Sequence, residues 1–115
     1  ISVLYERSSK YNKVVIYDFE TNEYSNYLND SLIANEVRTK TGGRALIMNN
    51  GDLLIEEHNF GRTIYFNSDG SIKWQNVNRA ENGYIYILDW SRMLYTPSDI
   101  AKVRSLLSQS GCHND

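Results

Sequence analysis

Residues 44–76 hold four short segments rich in β-branched, aliphatic and aromatic residues, each cut from the next by a turn of Asn, Asp, His and Gly. This spacing limits the stretch to antiparallel strands joined by tight connections. Ala45-Leu46-Ile47-Met48 is a continuous apolar run, the pattern of a strand buried on both faces. Asn49-Asn50-Gly51 turns the chain, since Asn and Gly tolerate positive φ. Asp52 to Glu57 is the second strand, His58-Asn59-Phe60-Gly61 the next turn, and Arg62 to Phe66 the third strand. After the turn Asn67-Ser68-Asp69-Gly70, residues 71–76 place Ile72 and Trp74 on one face and Lys73 and Gln75 on the other. That is the period of a half-buried outer strand.

The first strand is the most apolar and the last the most polar. Such a gradient fits a sheet with an inner edge packed in protein and an outer edge near water, which is the order of a propeller blade. The flanks extend the idea. Residues 13–18 and 23–28 read as a hairpin turning at 19–22, and it resembles the one at 62–76: Asp18 falls opposite Asn67, and Tyr24 opposite Ile72. Residues 29–42 are a connection with one helical turn around 32–37. Residues 84–88 and 91–95 read as two further strands, turned by Asp89-Trp90. The chain is thus expected to be mostly β: a half blade at 13–28, a complete four-stranded blade at 44–76 and a half blade at 84–95. A repeat near 45 residues falls in the propeller range of about 40–50. Chance similarity of two Tyr-rich hairpins is the competing explanation. One C-terminal α-helix is expected over 97–108, with Thr96 as N-cap, Pro97 at the first helical position and Asp99 in capping-box spacing. Its stripe of Ile100, Val103, Leu106 and Leu107 is expected to dock on the sheet, with partner binding as the alternative.

Charge and composition exclude several functions. Twelve basic and fourteen acidic residues give a net charge of −2, so no basic field exists to hold nucleic acid. No apolar run approaches the ~18–20 residues of a membrane span, and no stretch reads as a secretory leader. Cys112 is the sole cysteine, which rules out an internal disulfide and four-cysteine metal sites. His58 and His113 are too far apart in sequence to announce a metal cluster, and no residue pattern asks for a cofactor. A Cys112-His113 metal site is weighed against an ordinary polar tail. Asp52 and Asp69 sit where Asx side chains cap turn amides. Glu56 and Glu57 point to opposite faces of one strand and do not form a glycosidase pair. Tyr17, Tyr24, Tyr65, Tyr84 and Tyr86 read either as a ligand surface or as half-buried strand residues with wet hydroxyls. The sequence opens on Ile1, and it reads as part of a larger object.

Three segments carry a resemblance: Asn50-Gly51-Asp52-Leu53-Leu54-Ile55, Gly61-Arg62, and Asp69-Gly70-Ser71-Ile72-Lys73-Trp74. Together they are similar to blades of the bacterial arylsulfotransferase family, a quinoprotein-like β-propeller. The resemblance implies transfer of a sulfuryl group between phenols through a histidine, in a periplasmic or secreted protein. It implies a small aromatic or sulfate ligand, and His58 is the only histidine in the structured part. Arg62 suits a sulfate oxygen, and Asn59 suits a hydrogen bond to it. The competing reading makes His58 and Asn59 exposed turn residues. The chain is expected to be the C-terminal part of such a propeller; about two blades cannot close a ring, so the expected partner is the remainder of the propeller or another protein chain, with no catalysis by this chain alone. The alternative is a non-catalytic β-rich binding or protein-interaction module.

Overall fold

A computed structural model of the chain describes residues 2–5, as backbone, and residues 10–111. The Cys112-His113 pair lies outside the described residues. Two antiparallel sheets and one long helix make up the fold. The first sheet holds β1 (Ser2–Tyr5), β2 (Lys13–Asp18) and β3 (Glu23–Tyr27), in that order. The second holds β4 (Arg44–Ile47), β5 (Leu53–Glu57), β6 (Arg62–Phe66) and β7 (Ile72–Val77), again in chain order. A short helix, α1 (Asn29–Ala34), lies between the sheets in sequence, and α2 (Pro97–Gln109) follows them. β1 lies beside β4. Sequence alone did not mark β1 as a strand.

Turn chemistry sets the register of the second sheet. Gly51, at φ +84°, donates its amide to the Met48 carbonyl at 2.9 Å, and Leu53 then pairs with Ile47. The buried carboxylate of Asp52 ties this turn to the next one. It accepts hydrogen bonds from the Ser68 amide (3.0 Å), the Tyr65 hydroxyl (2.9 Å) and the Asn50 side chain (2.9 Å). Asp69 accepts from the Ser71 amide and hydroxyl. Both aspartates therefore cap turns, as their positions announced.

The core lies against one face of the second sheet. Leu53, Ile55, Ile64 and Phe66 project from it, and Val14 of β2, Leu32 of α1 and Val37 of the connection cover them. Each of these side chains is fully buried, worth about 1.5–3 kcal/mol apiece for the larger ones. The tip of the β2–β3 hairpin projects beyond this core and is exposed.

Five expectations are corrected. β5, not β4, is the most buried strand, because β5 has a neighbour on each edge while β4 pairs along one edge only within its sheet. β7 is exposed along its whole length rather than half-buried; Trp74 stacks on Tyr65 at 5.7 Å and remains 40% accessible. The helical turn expected at 32–37 is the earlier α1, and Val37 returns its amide to the Leu32 carbonyl at 2.9 Å. Residues 84–95 form no ladder beyond a single bridge between Arg79 and Ile85. No second strand lies alongside to receive their amides, which turn instead to loops, Tyr86 to the Asn78 carbonyl and Leu88 to the His58 carbonyl. Helix α2 forms as its signals require, with the Thr96 hydroxyl accepting the Asp99 amide at 3.1 Å. Its expected docking does not occur: it buries no residue, and Val103, Leu106 and Leu107 face outward.

Candidate functional site

The two ends of the second sheet differ in kind. One end carries the tight turns 48–52 and 67–71. The other gathers the long connections: residues 10–12, 36–43, 58–61 and the chain beyond 77. Binding and catalytic groups concentrate on loops held by a rigid frame, and this end contains His58, Asn59 and Arg62, the three site candidates.

Strand register builds two charge clusters there. β4 and β6 each begin with an arginine, and β5 ends in two glutamates. Pairing sets Arg44 opposite Glu56 and Arg62 opposite Glu57. Successive side chains of a strand point to opposite faces, so the two carboxylates serve two separate cavities. The signal was present in the sequence as Glu56-Glu57 between two strand-initial arginines, but it needs the register to be seen.

The larger cavity, about 470 Å³, takes Glu57 and Arg62 together with Lys10, Arg38 and Arg79. Glu57 is 1% exposed and accepts from the Arg62 Nε and the Arg38 backbone amide. Arg62 Nη2 also donates to the carbonyls of Asn35 (3.1 Å) and Glu36 (3.5 Å). These bonds fix the guanidinium plane at the cavity wall.

The smaller cavity, about 210 Å³, is lined by Gly42, Gly43, Arg44, Glu56, Asp89 and Trp90. Glu56 is buried and accepts the Ser91 amide at 2.6 Å, while Arg44 donates to the Ser91 carbonyl at 3.0 Å and lies over the Trp90 ring. Trp90 holds φ +60°, a strained backbone for so large a side chain. His58 adjoins this cavity. Its Nδ1 lies 2.6 Å from the Leu88 carbonyl oxygen and 3.8 Å from the Asp89 carboxylate. A carbonyl only accepts, so Nδ1 carries a proton, and in the neutral ring the lone pair is on Nε2. That tautomer is the one a nucleophilic imidazole needs. Gly42 backs the ring: a Cβ there would stand 3.2 Å from the His58 Cγ.

The three residues picked from sequence are therefore dispersed. Arg62 lines the larger cavity and His58 borders the smaller one. Asn59 lines neither; its Oδ1 accepts from the Lys40 amide (2.7 Å), the Thr41 amide (2.9 Å) and the Thr39 hydroxyl (2.9 Å), and its Nδ2 donates to the Thr41 hydroxyl (3.1 Å). Asn59 shapes the 39–41 loop. Lys10, Arg38, Arg44 and Arg79 escaped sequence reasoning because each is an ordinary surface charge until the loops bring it to one end.

Shifted ionisations lie at the opposite end. Burial raises the Tyr65 hydroxyl above the usual phenol range, and its bond to Asp52 and that residue's charge add to the rise. Burial also acts to raise Asp52, but hydrogen bonds from Tyr65, Asn50 and the Ser68 amide, with the charge of Lys73, outweigh it and leave the carboxyl below its ordinary value. Asp69 is lowered by the Ser71 hydroxyl and amide. These groups hold turns and lie away from both cavities.

Among the described residues no group of three or more metal-ligating side chains exists, and no helix is long and apolar enough to cross a membrane. The fold and its loop end define a class: a mostly antiparallel β protein that collects arginines and an oriented imidazole at one end of a four-stranded sheet. The arylsulfotransferase (ASST) family model matches residues 2–79, and the chain belongs to that family. The matched region takes in all seven strands, both arginine–glutamate pairs and His58. No curated protein and no solved structure matches the chain.

Proposed function

We propose that the chain supplies blades to an arylsulfotransferase-like β-propeller and that sulfuryl transfer requires the blades beyond it. The family match across all seven strands carries this reading. The strand plan supports it. β1, β2 and β3 begin at Ser2, Lys13 and Glu23; β5, β6 and β7 begin at Leu53, Arg62 and Ile72, a spacing of about 50 residues in the same order and sense. The first sheet thus corresponds to the last three strands of a blade and the second to a whole one; residues 84–95, which form no ladder here, would become the opening strands of a third blade only when the rest of that blade is present. Propellers typically have 4–8 blades, and until neighbouring blades pack on its faces the second sheet leaves β7 exposed.

In this reading His58 is the sulfuryl acceptor. Nε2 attacks the sulfur of an aryl sulfate, an N–S bond forms as the S–O bond to the ring breaks, and phenolate leaves. A second phenol then attacks sulfur, breaks the N–S bond and gives its proton to solvent or base. Arg44 supplies positive charge from the adjoining cavity. The 115-residue chain is expected to show no phenol-to-phenol sulfuryl transfer, while the assembled protein transfers and its His58→Ala variant does not. Robust transfer by the isolated chain contradicts the requirement for further blades. Full turnover by the assembled His58→Ala variant places the acceptor elsewhere.

A second reading, a non-catalytic interaction module, is favoured by the exposed aromatic row Tyr84, Tyr86, Trp90 and Tyr95. Sedimentation separates the two: a stable compact monomer supports the module, and dependence on a partner supports the propeller.

A further inference from the structure

The larger cavity lies on the opposite side of β5 from the arginine–glutamate pair that borders His58, and its chemistry is different. Four cations line it, Lys10, Arg38, Arg62 and Arg79, against two carboxylates, Glu36 and Glu57. Among the described residues the excess is two positive charges, in a chain whose net charge is −2. Glu57 neutralises Arg62 from below and is itself buried, so the pair is a fixed floor rather than a mobile surface contact. Arg38 is the reverse: its guanidinium makes no hydrogen bond or ion pair among the described residues. Arg79 uses one nitrogen on the Gly83 carbonyl at 3.2 Å. The remaining wall holds Tyr11, whose ring lies against Lys10, and the apolar Phe60, Val77 and Ile85, which stay 43%, 37% and 44% exposed. A volume of about 470 Å³ is in the range of small-molecule sites.

We infer that this groove binds a phosphate monoester with an aryl or similarly flat apolar body. The dianionic phosphoryl head lies between Arg38, Arg62 and Arg79, and the apolar body lies on Phe60, Val77 and Ile85. Charge selects the head. Two uncompensated cations match a dianion, and planar guanidinium groups bind phosphoryl oxygens in bidentate fashion. A sulfate ester, with one charge, leaves one cation unmet. Inorganic phosphate supplies the head but leaves the apolar wall wet. This assignment does not rest on the sulfuryl-transfer reading, because His58 is not among the described residues that line the groove.

The test is calorimetric titration of the 115-residue chain with phenyl phosphate, phenyl sulfate and inorganic phosphate at pH 8, where phosphate monoesters are dianionic. Phenyl phosphate is expected to saturate, to bind more tightly than either comparator and to weaken as salt rises. Arg38→Gln and Arg79→Gln, both at exposed positions, are each expected to weaken it about tenfold, the loss of one charge-assisted hydrogen bond. Circular dichroism checks that each variant keeps the wild-type fold. Absence of saturation at about 10 mM phenyl phosphate, weaker than any useful site, overturns the proposal. So does equal affinity for phenyl sulfate, or unchanged affinity in both folded variants.

Discussion

Replacing Glu57 by Gln changes one oxygen for one amide group and tests how the loop end is held. Glu57 is fully buried, accepts the Arg38 amide through one oxygen and the Arg62 Nε through the other. The amide side chain can keep the first bond. The second becomes donor against donor, and a guanidinium 24% exposed loses its counter-charge. Breaking a buried ion pair from one side costs about 3–5 kcal/mol. Arg62 retains the Asn35 and Glu36 carbonyls and partial access to water, so the expected cost is lower, about 2–3 kcal/mol. With an m-value of roughly 1–1.5 kcal/mol/M for a chain of this size, the urea midpoint drops by about 2 M. The companion Arg62→Gln and the double variant complete a cycle. Once both charges are gone, neither is stranded, so the double variant is expected to be more stable than the two single losses imply, by at least about 1 kcal/mol. A Glu57→Gln midpoint within about 0.3 M of wild type, or strictly additive losses, refutes the reasoning.

Other expectations follow from the same contacts. Asn59→Ala removes the acceptor of three donors in the 39–41 loop; stability falls by about 1–2 kcal/mol, and hydrogen exchange at the Lys40 and Thr41 amides accelerates. Unchanged exchange there contradicts the clamp. Gly61 holds φ +56°, and a Cβ on it would stand 2.1 Å from the Tyr86 carbonyl oxygen. Gly61→Ala must displace the 85–88 segment or the turn, at about 2 kcal/mol or more, read as a lowered Tm. Asp52 is depressed below 3.8 in the fold. Its contribution is therefore present above that ordinary value and is lost as pH falls through the lower folded value. Asp52→Asn is expected to destabilise the chain at pH 7 and to differ less from wild type at pH 2–3, by denaturant titration at both pH values; a gap that stays constant refutes the assignment.

Most strands were legible because their signals are local. The Asn-Gly and Asp-Gly turns bracket β5 to β7 within a residue of the ranges read from sequence, and Thr96, Pro97 and Asp99 start α2 at the position their capping pattern requires. The misses share a cause of another kind. Apolar content placed Ala45 to Met48 deepest, but burial depends on how many neighbours a strand has, and β4 has one within its sheet. Residues 84–95 have strand composition without a strand partner, and the α2 stripe has no surface to cover. At the loop end, Arg62 was legible from its likeness to a family motif. The pairing of Arg44 with Glu56, and the convergence of Lys10, Arg38 and Arg79, depend on register and loop paths that no short window contains.

An experimental map of the chain within its complete assembly tests the central claim most directly. Residues 44–47 should line a central channel as the innermost strand of their blade, with residues 2–5 beside them in the preceding blade and 84–88 and 91–95 hydrogen-bonded as the first two strands of the next sheet. A map in which 84–95 stays without strand partners, or in which β1 and β4 lie on different sides of the molecule, contradicts it.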